Sequence, residues 1–134
     1  MVETSNTSLP SKLGIKANSS LALLHAPRDF ALDVEKSVTL SRRSRGPVDV
    51  VLAFFTTASA YEDELESLSR LITPSGGLWI AWPKKSSGRV TTMTDHVVRD
   101  VALPLGLVDN KVCAIDPRWT GLRLVWRVDH RAAR

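Results

Sequence analysis

The stretch from Val48 to Trp82 constrains the fold more than any other part of the chain. Residues 48–55, VDVVLAFF, form the most apolar run in the sequence, as expected of a strand buried on both faces. From Ala58 the period changes, with Tyr61, Leu65, Leu68 and Ile72 at spacings of four, three and four, the mark of one apolar helix face. Ser59 with Glu62 three residues on reads as a capping box, Arg70 suits the last turn, and residues 73–77, TPSGG, read as the stop. Residues 78–82, LWIAW, then return to a buried strand. A strand, a helix and a second strand in this order call for a parallel crossover, and a sheet flanked by helices follows from it.

The remaining segments extend the same plan. Residues 21–24 form a short apolar run ended by His25-Ala26-Pro27, and residues 38–40 a brief β-branched one followed by Arg42, Arg43, Arg45 and Gly46-Pro47. Between them, residues 30–36 carry a weak helical pattern. Residues 86–88 are a loop, and Thr94 and Asp95 open a helix on Val97, Val98 and Val101 that breaks at Pro104 and Gly106. Residues 112–115 and 122–128 are two last strands, joined by the turn residues Asp116 to Gly121 as an antiparallel hairpin. The predicted order is β-α-β-β-α-β-α-β-β. That is a three-layer, Rossmann-like α/β domain, mostly parallel, with a C-terminal antiparallel hairpin.

A chain of 134 residues is one domain's worth, divided here into a loose arm over 1–12, the domain over 13–130 and a basic tail over 131–134. A single cysteine excludes a disulfide scaffold or a multi-cysteine metal site and suits the cytoplasm. The start lacks the layout of a signal peptide, and no apolar run reaches bilayer length, so no membrane partner is expected. A net charge of +4 leans toward anionic partners without the strength typical of a dedicated nucleic-acid binder.

The runs GGLWIAWPKK (residues 76–85) and GLVDNKVCAID (residues 106–116), with Trp119 and the opening LGIK (residues 13–16), resemble an uncharacterised bacterial domain-of-unknown-function family over roughly residues 9 to 129. That family carries no established activity to transfer. More distantly, the VDVVLAFF strand, the turn at Ile72 to Gly77 and the closing hairpin are similar to the second half of the class I methyltransferase core. The resemblance implies a shortened version, with a helix, a strand and a further helix replaced by residues 41–47. It also implies a glycine-rich turn after the first strand and an acid after the second, to hold S-adenosylmethionine (SAM). This chain has His25-Ala26-Pro27-Arg28-Asp29 and Ser41-Arg42-Arg43 there, so no cofactor is expected, SAM in its usual pose included.

In a parallel sheet, ligands sit beyond the carboxyl ends of the strands, where crossovers change direction. The candidate ligand-binding residues are therefore Arg28, Asp29, Thr56, Thr57, Trp82, Lys84 and Lys85. Trp82-Pro83-Lys84-Lys85 sets an aromatic beside two cations, a pattern that holds a phosphate or stacks a base, against the plainer reading of a packed indole and solvated lysines. Arg28, Arg42, Arg43 and Arg45 are expected at the same edge. Thr56, Thr57 and Ser59 either bind an anion or simply cap the helix, and capping is the commoner use. The three histidines lack metal-ligand spacing, Cys113 fits a buried thiol, and Asp109, Lys111 and Asp116 fit structural ion pairs or turn caps. Trp79, Trp119 and Trp126 fit packing roles.

The leading expectation is a small binding module without catalysis, taking a nucleotide or phosphorylated group in a basic crevice between Arg28, Thr57 and Lys84. The alternatives are an atypical SAM-dependent methyltransferase relative with His25 or Asp29 at its centre, and a protein-interaction domain offering its edge strand or hairpin to a protein partner. Nucleic acid stays open as a further partner.

Overall fold

A computed structural model describes residues 8–128. The expected basic tail at 131–134 and residues 1–7 of the arm lie outside the described residues. Within the rest of the arm a short helix α1 (Leu9–Lys12) forms under the Ser8 cap, with Pro10 in its first turn. Six strands follow, β1 (Ser20–Leu24), β2 (Thr39–Ser41), β3 (Val48–Phe54), β4 (Ile72–Pro83), β5 (Leu107–Ala114) and β6 (Trp119–Trp126). Helix α2 (Ala58–Ser69) joins β3 to β4, and α3 (Asp95–Ala102) precedes β5.

The strands form one sheet in the order β2-β1-β3-β4-β6-β5. β2, β1, β3 and β4 are parallel, and β6 pairs antiparallel with both β4 and β5. This is the Rossmann-like, methyltransferase-like sheet with its closing antiparallel hairpin.

The two faces are covered differently. On one, α2 and α3 lay Tyr61, Leu65, Leu68, Val98 and Ala102 over Ala22, Val51, Ala53, Leu78, Ile80 and Leu122. On the other, among the described residues, the only helix is the short α1, whose Leu9 packs there. Leu13 and Ile15 after α1, and the chain from Phe30 to Val38, cover Leu21, Leu23, Leu52, Phe54 and Trp79 instead. The helix expected over residues 30–36 is therefore extended chain. Its apolar residues Phe30, Leu32, Val34 and Val38 fall mostly at every second position, which suits a strand-like path across the sheet.

Two further boundaries differ from expectation. The N-cap of α2 is Thr57, whose hydroxyl accepts from the Ala60 N–H at 3.3 Å, two residues before the Ser59-Glu62 pair. Residues 73–77 do not end the helix, which has already stopped at Ser69. They lie inside β4 as a bulge, because Val48 pairs with Ile72 while Val50 pairs with Gly77. Gly76 is required there: a Cβ would stand 2.8 Å from the Asp49 carbonyl oxygen. β5 also begins at Leu107, earlier than expected.

Tyr61 ties the helix layer together. Its buried hydroxyl donates to the Val98 carbonyl on α3 at 2.8 Å, and burial pushes its pKa well above the ordinary phenol value, so it stays a neutral donor. Tyr61→Phe is expected to cost about 1 kcal/mol, the usual net worth of such a bond, read as a lower midpoint in urea unfolding with an unchanged slope.

Candidate functional site

β1 leads toward β2 on one side and β3 toward β4 on the other, so the crossovers diverge between β1 and β3. Beyond the carboxyl ends of these two strands lies a cleft of about 490 Å³ lined by His25, Pro27, Arg28, Asp29, Phe54, Thr56, Arg89 and Trp119. A side hollow of about 210 Å³ adds Ser87 and Arg118. Trp119 is 5% exposed because Phe54 meets it edge-on, with ring centroids 5.1 Å apart, and the Arg89 guanidinium lies 5.5 Å above its ring. Stacking holds the planar guanidinium in place and leaves its N–H edge available to an oxyanion. Arg118 reaches the Asp29 carboxylate at 3.2 Å, both side chains being largely exposed.

At the other wall, His25 sits in the left-handed region at φ 60°, a backbone state histidine tolerates better than most residues. That state turns its ring against Phe55 and brings Nε2 within 2.7 Å of the Glu64 carboxylate on α2. The cleft thus carries Arg28, Arg89 and Arg118, while Asp29 is paired with one of them and Glu64 with His25.

Of the residues singled out in the sequence, Arg28, Asp29 and Thr56 come together here. Thr57 does not join them, because its hydroxyl caps α2. The helix start is closed further by the loop before α3: Ala58 N–H donates to Thr92 Oγ1 at 2.7 Å, and the Thr56 carbonyl accepts from Thr91 Oγ1 and from Thr92 N–H. Trp82, Lys84 and Lys85 are separate too. They line a cleft of about 630 Å³ on the helix face of the same edge, with Met93, Asp95 and His96. Strand parity decides this: along β4, Leu78, Ile80 and Trp82 face the helices while Trp79 and Ala81 face away. The crevice expected between Arg28, Thr57 and Lys84 is therefore two clefts. Arg45, grouped with Arg28 in the sequence, lies instead with Ser20, Thr39 and Val48 at the opposite edge.

Arg89, Arg118, Trp119 and Glu64 were not among the sequence candidates. Arg89 and Trp119 are thirty residues apart in the chain, and only the hairpin turn brings them together. In that turn Asp116 Oδ1 accepts from both Arg118 N–H and Trp119 N–H, as its place before Pro117 suggests. Asp109 pairs with Arg99 at 3.1 Å and not with Lys111, whose ammonium reaches the Lys12 carbonyl. Cys113 is half-buried, not buried, with its thiol on the Ala114 carbonyl. Among the described residues no group of His, Cys, Asp or Glu could hold a metal ion, and no helix is long and apolar enough to cross a membrane.

No family model and no curated protein matches the chain. Solved structures do match. A SAM dependent methyltransferase from Aquifex aeolicus shares 16% identity, with a TM-score of 0.58 over 85% of each chain. Magnesium protoporphyrin IX methyltransferase from Synechocystis PCC 6803 with bound SAH shares 14%, with a TM-score of 0.51 over 67% of this chain. A putative type 11 methyltransferase from Sulfolobus solfataricus shares 16%, with a TM-score of 0.50 over 69% of this chain. The chain spans 51% of the Synechocystis protein and 60% of the Sulfolobus one. The class defined is thus a methyltransferase-like α/β fold, a statement about architecture alone.

The residues at this edge differ from those that the resemblance implies for an adenosyl cofactor. No glycine follows β1, and the backbone there carries the side chains of His25, Ala26, Pro27 and Arg28. No helix starts after β1, so the phosphate- or carboxylate-binding helix end is missing. After β2, where an acid would take the ribose hydroxyls, Ser41 Oγ accepts from Arg43 N–H and arginines follow.

The start of α3 carries a titratable lock. Hydrogen bonding to Arg99 at 2.9 Å holds the Asp95 carboxyl below its usual pKa of 3.8. A carboxylate with a depressed folded pKa stabilises above its unfolded value and loses that contribution as pH falls through the folded one. Acid unfolding below about pH 4 is accordingly expected to be shallower in Asp95→Asn than in the parent chain, by far-UV circular dichroism across pH 5 to 2.

Proposed function

We propose that this chain is a small cytoplasmic binding module, without catalysis of its own, that takes a phosphate-bearing ligand such as a nucleotide in the cleft beyond β1 and β3. The observation that carries the reading is Arg89, fixed over Trp119, beside Arg28 at the divergence of the crossovers. Two arginines around one cleft suit a phosphate, because a guanidinium fork matches its oxygens in pairs. Asp29 and Arg118 form the rim, where an entering anion competes with the Asp29 carboxylate for Arg118.

The likeness to SAM-dependent methyltransferases favours a second reading, an adenosyl ligand in the same cleft, at the level of the fold only. Calorimetry separates the two. ADP and inorganic pyrophosphate are expected to bind, and Arg28→Ala/Arg89→Ala to weaken them by about tenfold or more, the worth of one to two charge-assisted hydrogen bonds. Unchanged affinity in that variant refutes the cleft as the phosphate site, and tight SAM binding in its place establishes the second reading.

A further inference from the structure

The larger cleft on the helix face belongs to no part of the site just described. Its floor is Trp82, 8% exposed, and Met93, 3% exposed, and its volume of about 630 Å³ is that of a small-molecule site. A thioether and an indole make a pliable apolar surface. Charge at the rim is one-sided. Asp95 is engaged by Arg99 and by the His96 N–H, whereas the Lys84 and Lys85 ammonium groups, both lining the cleft, have no partner among the described residues. The backbone around them is fixed: Lys84 N–H donates to the Arg118 carbonyl at 2.8 Å, and the Lys84 carbonyl accepts from Ser87 Oγ. The α3 end contributes little to an anion, since Val97 N–H is taken by the Thr94 hydroxyl.

From the two free ammonium groups set over an apolar floor, we propose that this cleft is a second, independent site for an amphiphilic anion, a compact apolar or aromatic body carrying one carboxylate. The body lies against Trp82 and Met93, and the carboxylate meets Lys84 and Lys85. The chemistry differs from that of the arginine cleft, where the guanidinium groups favour a phosphate and Arg89 already covers the indole face. The proposal does not rest on phosphate binding at the other cleft.

The probe is 2-naphthoate, with neutral 2-naphthylmethanol as its control, followed by the indole N–H resonances of the uniformly nitrogen-15-labelled chain. The Trp82 signal is identified from a Trp82→Phe spectrum. Saturable movement of the Trp82 resonance with Trp119 unmoved is expected, and the alcohol and the Lys84→Ala/Lys85→Ala variant are each expected to bind about tenfold more weakly. Lys85 is exposed and Lys84 half-buried, neither belongs to the apolar core, and unchanged backbone amide positions of α2 and α3 in the same spectra verify that the variant keeps the fold. Arg28→Ala/Arg89→Ala should bind naphthoate as the parent does, which separates failure of this site from failure of the other. A stationary Trp82 signal overturns the proposal, as does unchanged affinity in the lysine variant or equal binding of the alcohol.

Discussion

The buried indole of Trp79 is the constraint on which this small sheet depends. A parallel sheet needs cover on both faces, and here only one face has helices long enough to supply it. On the other face, Trp79 Nε1–H donates to the Leu13 carbonyl at 2.9 Å and fastens the segment after α1 across β4, sixty-six residues away in the chain. The bond satisfies a donor that would otherwise be stranded in the core. It also places Leu13, the largest fully buried aliphatic contributed by that segment, against β1 and β3. The chain thereby closes this face of the sheet largely with irregular backbone.

That economy of cover shapes the ligand edge. Because residues 25–38 leave β1 as a turn and irregular chain, no helix starts after β1 among the described residues, and side chains of that turn line the cleft, the nearby helix start being that of α2 after β3. Arginines from the β1 turn, from the loop before α3 and from the hairpin turn converge there instead. The hairpin does double service, since Trp119 on one face orients Arg89 while Thr120, the next residue, lines the cleft on the other face. Two clefts of different chemistry at one edge follow directly from strand parity.

Much of the architecture was legible in the sequence. The apolar run at 48–54, the helix on Tyr61, Leu65 and Leu68, and the Thr94 cap each declare themselves through local periodicity and capping chemistry. The bulge at residues 73–76 did not, because Pro, Ser and Gly there mimic a helix stop while the pairing partner that makes them a bulge is Asp49's strand. Residues 30–36 mislead for a related reason: seven residues with several apolar positions fit either period, and only the bare sheet face chooses between them. For the site, Arg28, Asp29 and Thr56 were reachable from the rule that ligands lie beyond strand ends. Lys84 lies beyond the same strand ends but on the other side of the sheet, which local sequence does not encode and strand parity decides. Arg89 and Glu64 had no local signal, since each acts through a partner thirty or more residues away.

The central claim is that a methyltransferase-like edge has been rebuilt for phosphate. Its most direct test is a comparison of ADP and SAH on the same labelled sample, read at the backbone amides of His25, Ala26, Arg28, Asp29 and residues 54–56 and at the Trp119 indole. The account predicts saturable shifts at these positions with ADP and none with SAH at equal concentration. Shifts with SAH and none with ADP would contradict it and return the cleft to the adenosyl ligand of its structural neighbours.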